Sequence, residues 1–286
     1  ATWGETDDPY ALVASMVGEA GNVGLDDHMW AVKVLALRDA MPRARQHAAG
    51  KVLAELRMRK SAAEVEALAR AGAAIDWVHA QVPGLLRPGR TEREVGRDIA
   101  ALILEAGHVS ADFVIVASGP NGASPHHEVS DRVLALGDPV VVDIGGTMPD
   151  GYCSDETRTY ALGDPGADYL SAYAALQRAQ SEAVAAVRPG VPCEQIDAVA
   201  RDLLTDEGLG EVFIHRTGHG IGLETHEEPY IVVGNALPLE PGMAFSVEPG
   251  FYVEGRWGAR IEDIVVCDDD GPRLMNHRPR DLAIVE

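Results

Sequence analysis

Cysteine, positive charge and long apolar runs are all scarce in this sequence of 286 residues. The three cysteines, Cys153, Cys193 and Cys267, are widely spaced and form no CxxC pair, which argues against a disulfide framework or a cysteine zinc site. Lys and Arg number 24 against 45 Asp and Glu, and the net charge of −21 argues against nucleic acid or a membrane surface as a partner. No apolar run approaches the ~18 residues of a membrane span, and no signal-peptide pattern is present. We therefore expect a cytoplasmic protein.

The composition is that of a folded globular chain. Hydrophobic residues make up 46% and charged residues 24%, which argues against a collagen-like, disordered or coiled-coil protein. Residues 1–58 contain one helical stretch, around Met29–Ala40, and few β-runs, and we interpret residues 51–57 as a linking segment. So short a stretch is too small to bury a good core alone. We predict a partial amino-terminal domain over residues 1–58 and a main domain over 59–286.

An internal repeat organises the main domain. The triplet Arg-Pro-Gly at 87–89 recurs at 188–190, an offset of 101, and each copy precedes an amphipathic helical pattern that ends at a glycine, Gly107 or Gly208. Ser-x-x-Glu at 61–64 and Thr-x-x-Glu at 91–94 are capping boxes that predict helix starts. The repeat predicts a duplicated α+β unit around a pseudo-twofold axis.

Four acidic residues occupy equivalent places in the two copies. Asp143 and Asp155 lie on strand-like segments of the first copy, and Glu248 and Glu262 lie on those of the second, each pair able to face across a hairpin. An unpaired buried carboxylate is costly or becomes neutral, and two divalent cations would remove that cost. The alternative is that each acid caps a turn or pairs with an arginine.

Histidines add further candidate site residues. His215, His219 and His226 fall in a glycine-rich segment that follows a predicted strand, VFIH. The GxGxG pattern there lacks the spacing and the following helix of a dinucleotide-binding fingerprint. His126 and His127 are a weaker signal, because an exposed loop would explain them equally well.

Taken together, these motifs resemble the metal-dependent pita-bread peptidases, the family of prolidase (Xaa-Pro dipeptidase), aminopeptidase P and methionine aminopeptidase. The matching text covers about residues 56–286 and includes ASGPNGASPHHEVSD, GDPVVVDIGGTMPDGYCSDETRT, HRTGHGIGLETHEEPY, PGMAFSVEPG and RIEDIVV. The resemblance implies the α+β pita-bread fold, whose pseudo-twofold duplication agrees with the internal repeat. It also implies that residues 1–58 are the later part of a creatinase/prolidase-type amino-terminal α/β domain, which is normally about twice as long.

By this resemblance, five residues are the ligands of two divalent ions: Asp143, Asp155, His219, Glu248 and Glu262. Asp155 and Glu262 would bridge the ions, Asp143 would bind one, and His219 with Glu248 would bind the other. Four carboxylates and one imidazole suit Mn²⁺, with Co²⁺ or Zn²⁺ as substitutes. The expected reaction is attack of a metal-bridging hydroxide on the scissile carbonyl.

The resemblance also implies roles for the remaining site residues. Glu248 is expected to accept the proton of the attacking water. His226 and His126 are expected to donate hydrogen bonds to the developing oxyanion or to the substrate. His215 is expected to line the site and to shuttle protons or hold substrate. Arg260 is expected to orient the bridging acid that follows it.

The expected substrates are short Xaa-Pro peptides, because the close spacing of Glu248 and Glu262 is similar to the Xaa-Pro branch of the family. The bond before proline is a tertiary amide without an N–H group. A dipeptidase needs a cation for the free carboxylate, for which Arg256 and His215 are candidates, whereas an aminopeptidase P needs an open channel; both stay open. The alternatives are a methionine aminopeptidase and a non-catalytic peptide-binding protein on the same fold. The resemblance further implies a homodimer.

Overall fold

The amino-terminal residues form a small α/β unit of their own. The structure is a computed structural model that describes residues 1–286, and its chain divides into the units Ala1–Arg57 and Met58–Glu286. The first unit contains three helices and two parallel strands: α1 (Pro9–Val17), β1 (Asn22–Leu25), α2 (Ala31–Ala40), β2 (Arg45–Ala48) and α3 (Gly50–Arg57). The helix expected around Met29–Ala40 is α2. Residues 51–57, interpreted as a linking segment, lie in helix α3, whose residues are mostly good helix formers and which ends the first unit. That this unit is a partial creatinase/prolidase-type domain stays a prediction.

The second unit contains four long helices and eleven strands. The helices are α4 (Ala62–Leu85), α5 (Glu92–Glu105), α6 (Ala167–Ala186) and α7 (Cys193–Asp206). The strands are β3 (Ser110–Ser118), β4 (Pro139–Thr147), β5 (Cys153–Leu162), β6 (Gly218–Gly220), β7 (Glu227–Ile231), β8 (Ala244–Val247), β9 (Gly250–Val253), β10 (Trp257–Arg260), β11 (Asp263–Asp268), β12 (Gly271–Leu274) and β13 (Ala283–Val285). Membrane crossing demands a length and an apolar character that none of the helices combines.

Both capping boxes are present, and they start α4 and α5. The backbone N–H of Ser61 donates to the Glu64 carboxylate at 2.7 Å. At Thr91 the exchange is reciprocal: its N–H donates to Glu94 at 2.9 Å, and the Glu94 N–H donates to the Thr91 hydroxyl at 3.1 Å. These bonds satisfy backbone donors that the first helical turn leaves without partners.

The internal repeat is real in three dimensions. Helices α5 and α7 have 14 residues each, and α7 begins and ends 101 positions after α5. Gly107 and Gly208 follow the two helices with φ of +104° and +76°, a conformation that favours glycine. The matching apolar face is fully buried in both copies, at Val95, Ile99 and Ile103 in α5 and at Ile196, Ala200 and Leu204 in α7. Each copy therefore packs its helix on its own hydrophobic core.

Two sheets carry the four acidic residues. The first has the order β13-β5-β4-β3, and the antiparallel β4–β5 pair places Asp143 opposite Thr157 and Asp155 opposite Gly145. The second has the order β12-β11-β8-β6-β7, and Val247 of β8 pairs with Asp263 of β11. Glu248 and Glu262 adjoin that last pair. These two acids thus face each other across antiparallel strands, as expected, although the β9–β10 hairpin is inserted between β8 and β11.

The glycine-rich segment is a short central strand. A Cβ added at Gly218 would lie 1.9 Å from the carbonyl oxygen of Ser246, and one added at Gly220 would lie 2.3 Å from that of Glu228. Only glycine lets β6 lie this close to β7 and β8. The prediction of a strand at VFIH is wrong, because the chain there follows a 3₁₀ helix at Gly210–Val212 and forms no strand. Arg201 donates to the carbonyl groups of Phe213 and His215, which would otherwise bond to a neighbouring strand.

Candidate metal centre

The predicted ligands converge in one cavity. Donor atoms of Asp155, His219 and Glu262 lie within 4.8 Å of one another, and all three residues are buried. Nε2 of His219 is 3.2 Å from Oε1 of Glu248 and 3.7 Å from Oδ2 of Asp155. Asp143 lines the same cavity, whose volume is about 1060 Å³. The other predicted site residues line it too: His126, His215, His226 and Arg260.

Asp143 lines this cavity and has one carboxylate oxygen without a hydrogen-bond partner. Its Oδ2 accepts a hydrogen bond from Nη2 of Arg260. Its Oδ1 is buried and has no hydrogen-bond partner. A buried oxygen without a partner is costly, and a cation would satisfy it.

The chemistry of Asp155 and Glu262 also fits a metal. Burial and the nearby carboxylates raise the pKa of Asp155 well above its usual range, with Glu262 the largest of those neighbours. Burial and the carboxylates of Glu248 and Asp143 raise the pKa of Glu262 in the same way. The chain therefore concentrates more negative charge than it can neutralise with its own cations. Divalent ions bound by oxygen and imidazole donors match this excess.

Glu248 differs from Asp155 and Glu262 in the direction of its pKa shift. Burial alone would raise the pKa of Glu248, but the hydrogen bond and charge of His219 lower it to about 2. The hydroxyl of Ser246 donates to Oε1 of Glu248 at 3.0 Å and accepts the backbone N–H of His219 at 3.0 Å. Ser246 thus ties β8 to β6 and fixes both ligands.

Arg260 reaches Glu262 only through a threonine. Nε of Arg260 donates to Oγ1 of Thr157 at 3.2 Å, and that hydroxyl donates to Oε2 of Glu262 at 2.7 Å. The direct carboxylate partner of Arg260 is Asp143. That Arg260 orients Glu262 stays a prediction, and Thr157 is the residue through which it would act.

His215 supports the arginine and has no ring nitrogen free. Its Nδ1 donates to the carbonyl of Arg216 at 2.7 Å, so the neutral ring accepts at Nε2 from the Tyr252 hydroxyl at 2.8 Å. The same hydroxyl accepts from Nη1 of Arg260 at 2.6 Å. Burial lowers the pKa of His215, and burial raises the pKa of Tyr252 to about 12, so both groups are neutral at pH 7.

The remaining histidines differ in their environment. The rings of His226 and His219 lie 3.9 Å apart between centroids, and burial followed by the charge of His219 lowers the pKa of His226 to about 4. His126 is exposed at the cavity and makes no hydrogen bond within the chain. His127 also lines the cavity, but its Nε2 lies 2.8 Å from Oε2 of Glu92. Of the adjacent pair, His126 is the one with both ring nitrogens free.

Several residues of the centre were not predicted from the sequence: Thr157, Tyr252, Ser246, Arg216 and Glu92. Two had a signal, because Thr157 and Ser246 stand two positions from a ligand and share its face of the strand. Tyr252 had none, since a tyrosine in a β-run is normally core. Arg256, an expected carboxylate partner, does not line the cavity; its guanidinium stacks on Trp257 and lies 3.6 Å from Asp168.

Comparison with known proteins gives a family match and several relatives. Residues 66–269 match the sequence model of metallopeptidase family M24. The chain is 56% identical over 284 residues to the probable dipeptidase PepE of Mycobacterium tuberculosis, an alignment covering 99% of this chain and 76% of the relative. It is 38% identical over 292 residues to the Xaa-Pro dipeptidase of Lactobacillus helveticus, covering 98% of this chain and 78% of that one.

A solved structure supports the same assignment. The prolidase of Thermococcus sibiricus superposes with a TM-score of 0.92 at 38% identity, covering 99% of this chain and 79% of the prolidase. The predicted α+β pita-bread fold is therefore confirmed, and so is the resemblance to metal-dependent peptidases.

Proposed function

Because the chain belongs to metallopeptidase family M24, we propose that it hydrolyses the peptide bond before proline at the amino end of short peptides. The observation that carries this proposal is the convergence of Asp155, His219 and Glu262 within 4.8 Å in a large cavity. The unpartnered Oδ1 of Asp143 in the same cavity supports it. The Xaa-Pro dipeptidase of Lactobacillus helveticus, 38% identical, supports proline as the residue after the cleaved bond.

Five residues would hold two divalent ions: Asp143, Asp155, His219, Glu248 and Glu262. Their four carboxylates balance the charge of the two ions, and mostly hard oxygen donors favour Mn²⁺ over softer metals. When bound, the ions would polarise the scissile carbonyl and supply hydroxide as the nucleophile. Burial and neighbouring carboxylates raise the pKa values of Asp155 and Glu262, and bound ions would offset that cost.

Glu248 is the proton acceptor in this proposal. Its Oε1 already accepts from Ser246 and lies near His219, which leaves Oε2 to take a proton from the attacking water. The lowered pKa keeps this carboxylate ionised at neutral pH before the reaction starts. A base must be deprotonated and within hydrogen-bond reach of the proton it removes.

His226 and His126 would stabilise charge on the substrate. With its pKa lowered to about 4, His226 is neutral at pH 7 and carries one N–H for donation. His126 has no partner in the chain, so a substrate carbonyl can take its N–H. Donors aimed at a developing oxyanion lower the barrier because they need no reorganisation. We assign His215 a positioning role through Tyr252, since both of its ring nitrogens are occupied.

We also propose a manganese-loaded homodimer in the cytoplasm. The donor set supports manganese, and family resemblance supports the dimer. Three cysteines without a disulfide fit a reducing compartment. Light scattering across micromolar concentrations tests the dimer, and a monomer mass throughout would contradict it.

The test of function compares three peptides with protein stripped by a chelator and reloaded with Mn²⁺. We expect release of the first residue from Ala-Pro, with Ala-Pro-Ala and Met-Ala-Ser as comparisons for aminopeptidase P and methionine aminopeptidase activity. Asp155→Asn should lose bound metal and nearly all activity. Asp150→Asn, at the exposed β4–β5 turn, is the matched control and should behave as wild type. Full metal content and full turnover in Asp155→Asn would overturn the proposal.

A further inference from the structure

Three arginines line the active-site cavity, and one of them has no acidic partner. Nε of Arg93 lies 2.7 Å from Oδ1 of Asp131, and Arg260 pairs with Asp143. Arg216 makes no ion pair within the chain; its guanidinium carbon lies 4.7 Å from the centroid of the Tyr230 ring. Arg216 is thus the one guanidinium of the cavity whose charge the chain leaves uncompensated.

The backbone around Arg216 is rigidly held. Asp197 accepts the N–H of Thr217 at 3.1 Å and its hydroxyl at 2.8 Å. Arg201 donates to the carbonyl of His215 at 2.8 Å, on the other side of Arg216. These bonds fix the residues before and after Arg216, and so limit how far its side chain can swing from the cavity.

The stacking partner of Arg216 is fixed as well. The N–H of Thr217 donates to the carbonyl of Ile231 at 3.0 Å, and Tyr230 directly precedes Ile231 in β7. A guanidinium stacked on an aromatic ring uses its face for that contact and keeps its edge of N–H donors free. Such an edge matches the two oxygens of a carboxylate.

Charge, rather than volume, has to select substrate length here. The cavity volume of about 1060 Å³ exceeds what a dipeptide fills, so its walls do not exclude a third residue. A dipeptide differs from a longer peptide by an anionic carboxylate one residue beyond the cleaved bond, where the longer peptide has a neutral amide. An unpaired cation in the cavity distinguishes the two.

We propose, building on the function proposed above, that Arg216 binds the free α-carboxylate of a dipeptide and makes this enzyme a dipeptidase. The two cations considered from the sequence do not fit this role. Arg256 stacks on Trp257 outside the cavity, and His215 has both ring nitrogens engaged.

The test pairs one substrate with its amide. Cleavage of Ala-Pro and of Ala-Pro amide is measured with wild type, Arg216→Gln and Arg216→Lys, with Arg256→Gln as the matched control. Wild type should prefer the acid, and Arg216→Gln should lose about 10- to 100-fold in kcat/KM on the acid, mainly through KM, with little change on the amide. Arg216→Lys should fall between, because it keeps the charge without the fork. An acid-to-amide ratio in Arg216→Gln equal to that of wild type would overturn the assignment.

A binding measurement separates this inference from the proposed function. Calorimetry on the metal-loaded full chain uses Ala-Pro with a reduced, uncleavable peptide bond, and the amide of the same compound. Wild type should bind the acid at least ~10-fold more tightly than the amide, and Arg216→Gln should bind both alike. Equal binding of acid and amide by wild type would contradict the role of Arg216, whichever peptides the enzyme cleaves. Absence of Ala-Pro cleavage alongside a lost preference in Arg216→Gln would contradict only the proposed function.

Discussion

The guanidinium of Arg260 donates a hydrogen bond to Oδ2 of Asp143, although the two residues lie 117 positions apart in the sequence. Because this bond occupies Oδ2, Oδ1 is the oxygen of Asp143 left without a partner in the cavity. Arg260 also meets Tyr252 and Thr157, so its own position is fixed by three groups. The arginine therefore fixes which oxygen of Asp143 would be open to a metal ion.

Replacing Arg260 with Lys should weaken metal binding. A lysine keeps the charge but cannot contact Asp143, Tyr252 and Thr157 together. Loss of a group that orients a ligand typically costs about 10- to 100-fold in metal affinity. Competition with a fluorescent chelator measures this, and Arg256→Lys is the exposed control. Metal affinity equal to wild type in Arg260→Lys would show that Asp143 needs no orientation.

Glu262→Gln should separate two effects of the acidic cluster: repulsion that lowers the stability of the metal-free protein, and metal binding that raises stability. Burial and neighbouring carboxylates raise the pKa of Glu262, so removing its charge relieves repulsion in the metal-free protein. We expect metal-free Glu262→Gln to melt at or above the temperature of metal-free wild type. Added Mn²⁺ should raise the melting temperature of wild type much more than that of the variant. Scanning fluorimetry with and without chelator gives both values, and a metal-free variant far below wild type would refute the argument.

His79 should make stability sensitive to acid. Burial, then the charge of Arg158, lowers the pKa of His79 to about 3, against ~6.5 in an unfolded chain. Between pH 3 and pH 6.5 the His79 side chain is protonated in the unfolded state but neutral in the folded state. The contribution of His79 to the free energy of unfolding is thus complete above about pH 6.5, and it falls as the pH decreases, by up to ~1.4 kcal/mol per pH unit.

The His79→Gln variant isolates this contribution. His79 donates from Nε2 to the Glu156 carbonyl at 3.0 Å and accepts at Nδ1 from Tyr160 at 2.9 Å, so its loss should cost ~1–3 kcal/mol at pH 7. The difference in unfolding free energy between wild type and His79→Gln should shrink from pH 7 to pH 5. Urea unfolding at each pH measures it, and a constant difference would contradict the assignment.

Glu92 should matter for catalysis without touching the metal ligands. Its buried carboxylate accepts hydrogen bonds from Ser118, the last residue of β3, and from three residues of the following loop that carries His126: Asn121, His127 and Ser130. Glu92→Leu should release this loop and lower kcat/KM by ~10-fold or more with metal content unchanged. Glu92→Gln, which keeps one acceptor oxygen, should recover part of the loss. Loss of metal in step with activity would instead place the effect at the metal centre.

Short sequence patterns correctly predicted the helices whose ends and buried faces depend on residues close together in the chain. The capping boxes at Ser61 and Thr91 and the repeat that became α5 and α7 depend on residues within one turn or one helix face. The four acids could be identified as candidate site residues because an acidic side chain in an apolar strand is costly to bury without a partner.

Long-range contacts explain what local patterns missed. The apolar run at 212–215 has strand composition, but Arg201, from α7, takes the carbonyl groups that a ladder would use. The contact of Arg260 with Asp143 joins residues that no local window contains. No sequence pattern singles out Arg216, whose guanidinium the structure places over the ring of Tyr230.

The division of the metal centre between two copies of one unit has a consequence for synthesis of the chain. Asp143 and Asp155 leave the ribosome about a hundred residues before Arg260 and Glu262 do. Until then Asp143 lacks Arg260, the cation with which it pairs. Thr157 likewise lacks Glu262, the carboxylate that accepts its hydrogen bond. Domains generally fold as units, the amino-terminal one first during synthesis. The acidic cluster, and with it the capacity for hydrolysis, can therefore be assembled only after the second half of this unit has been made.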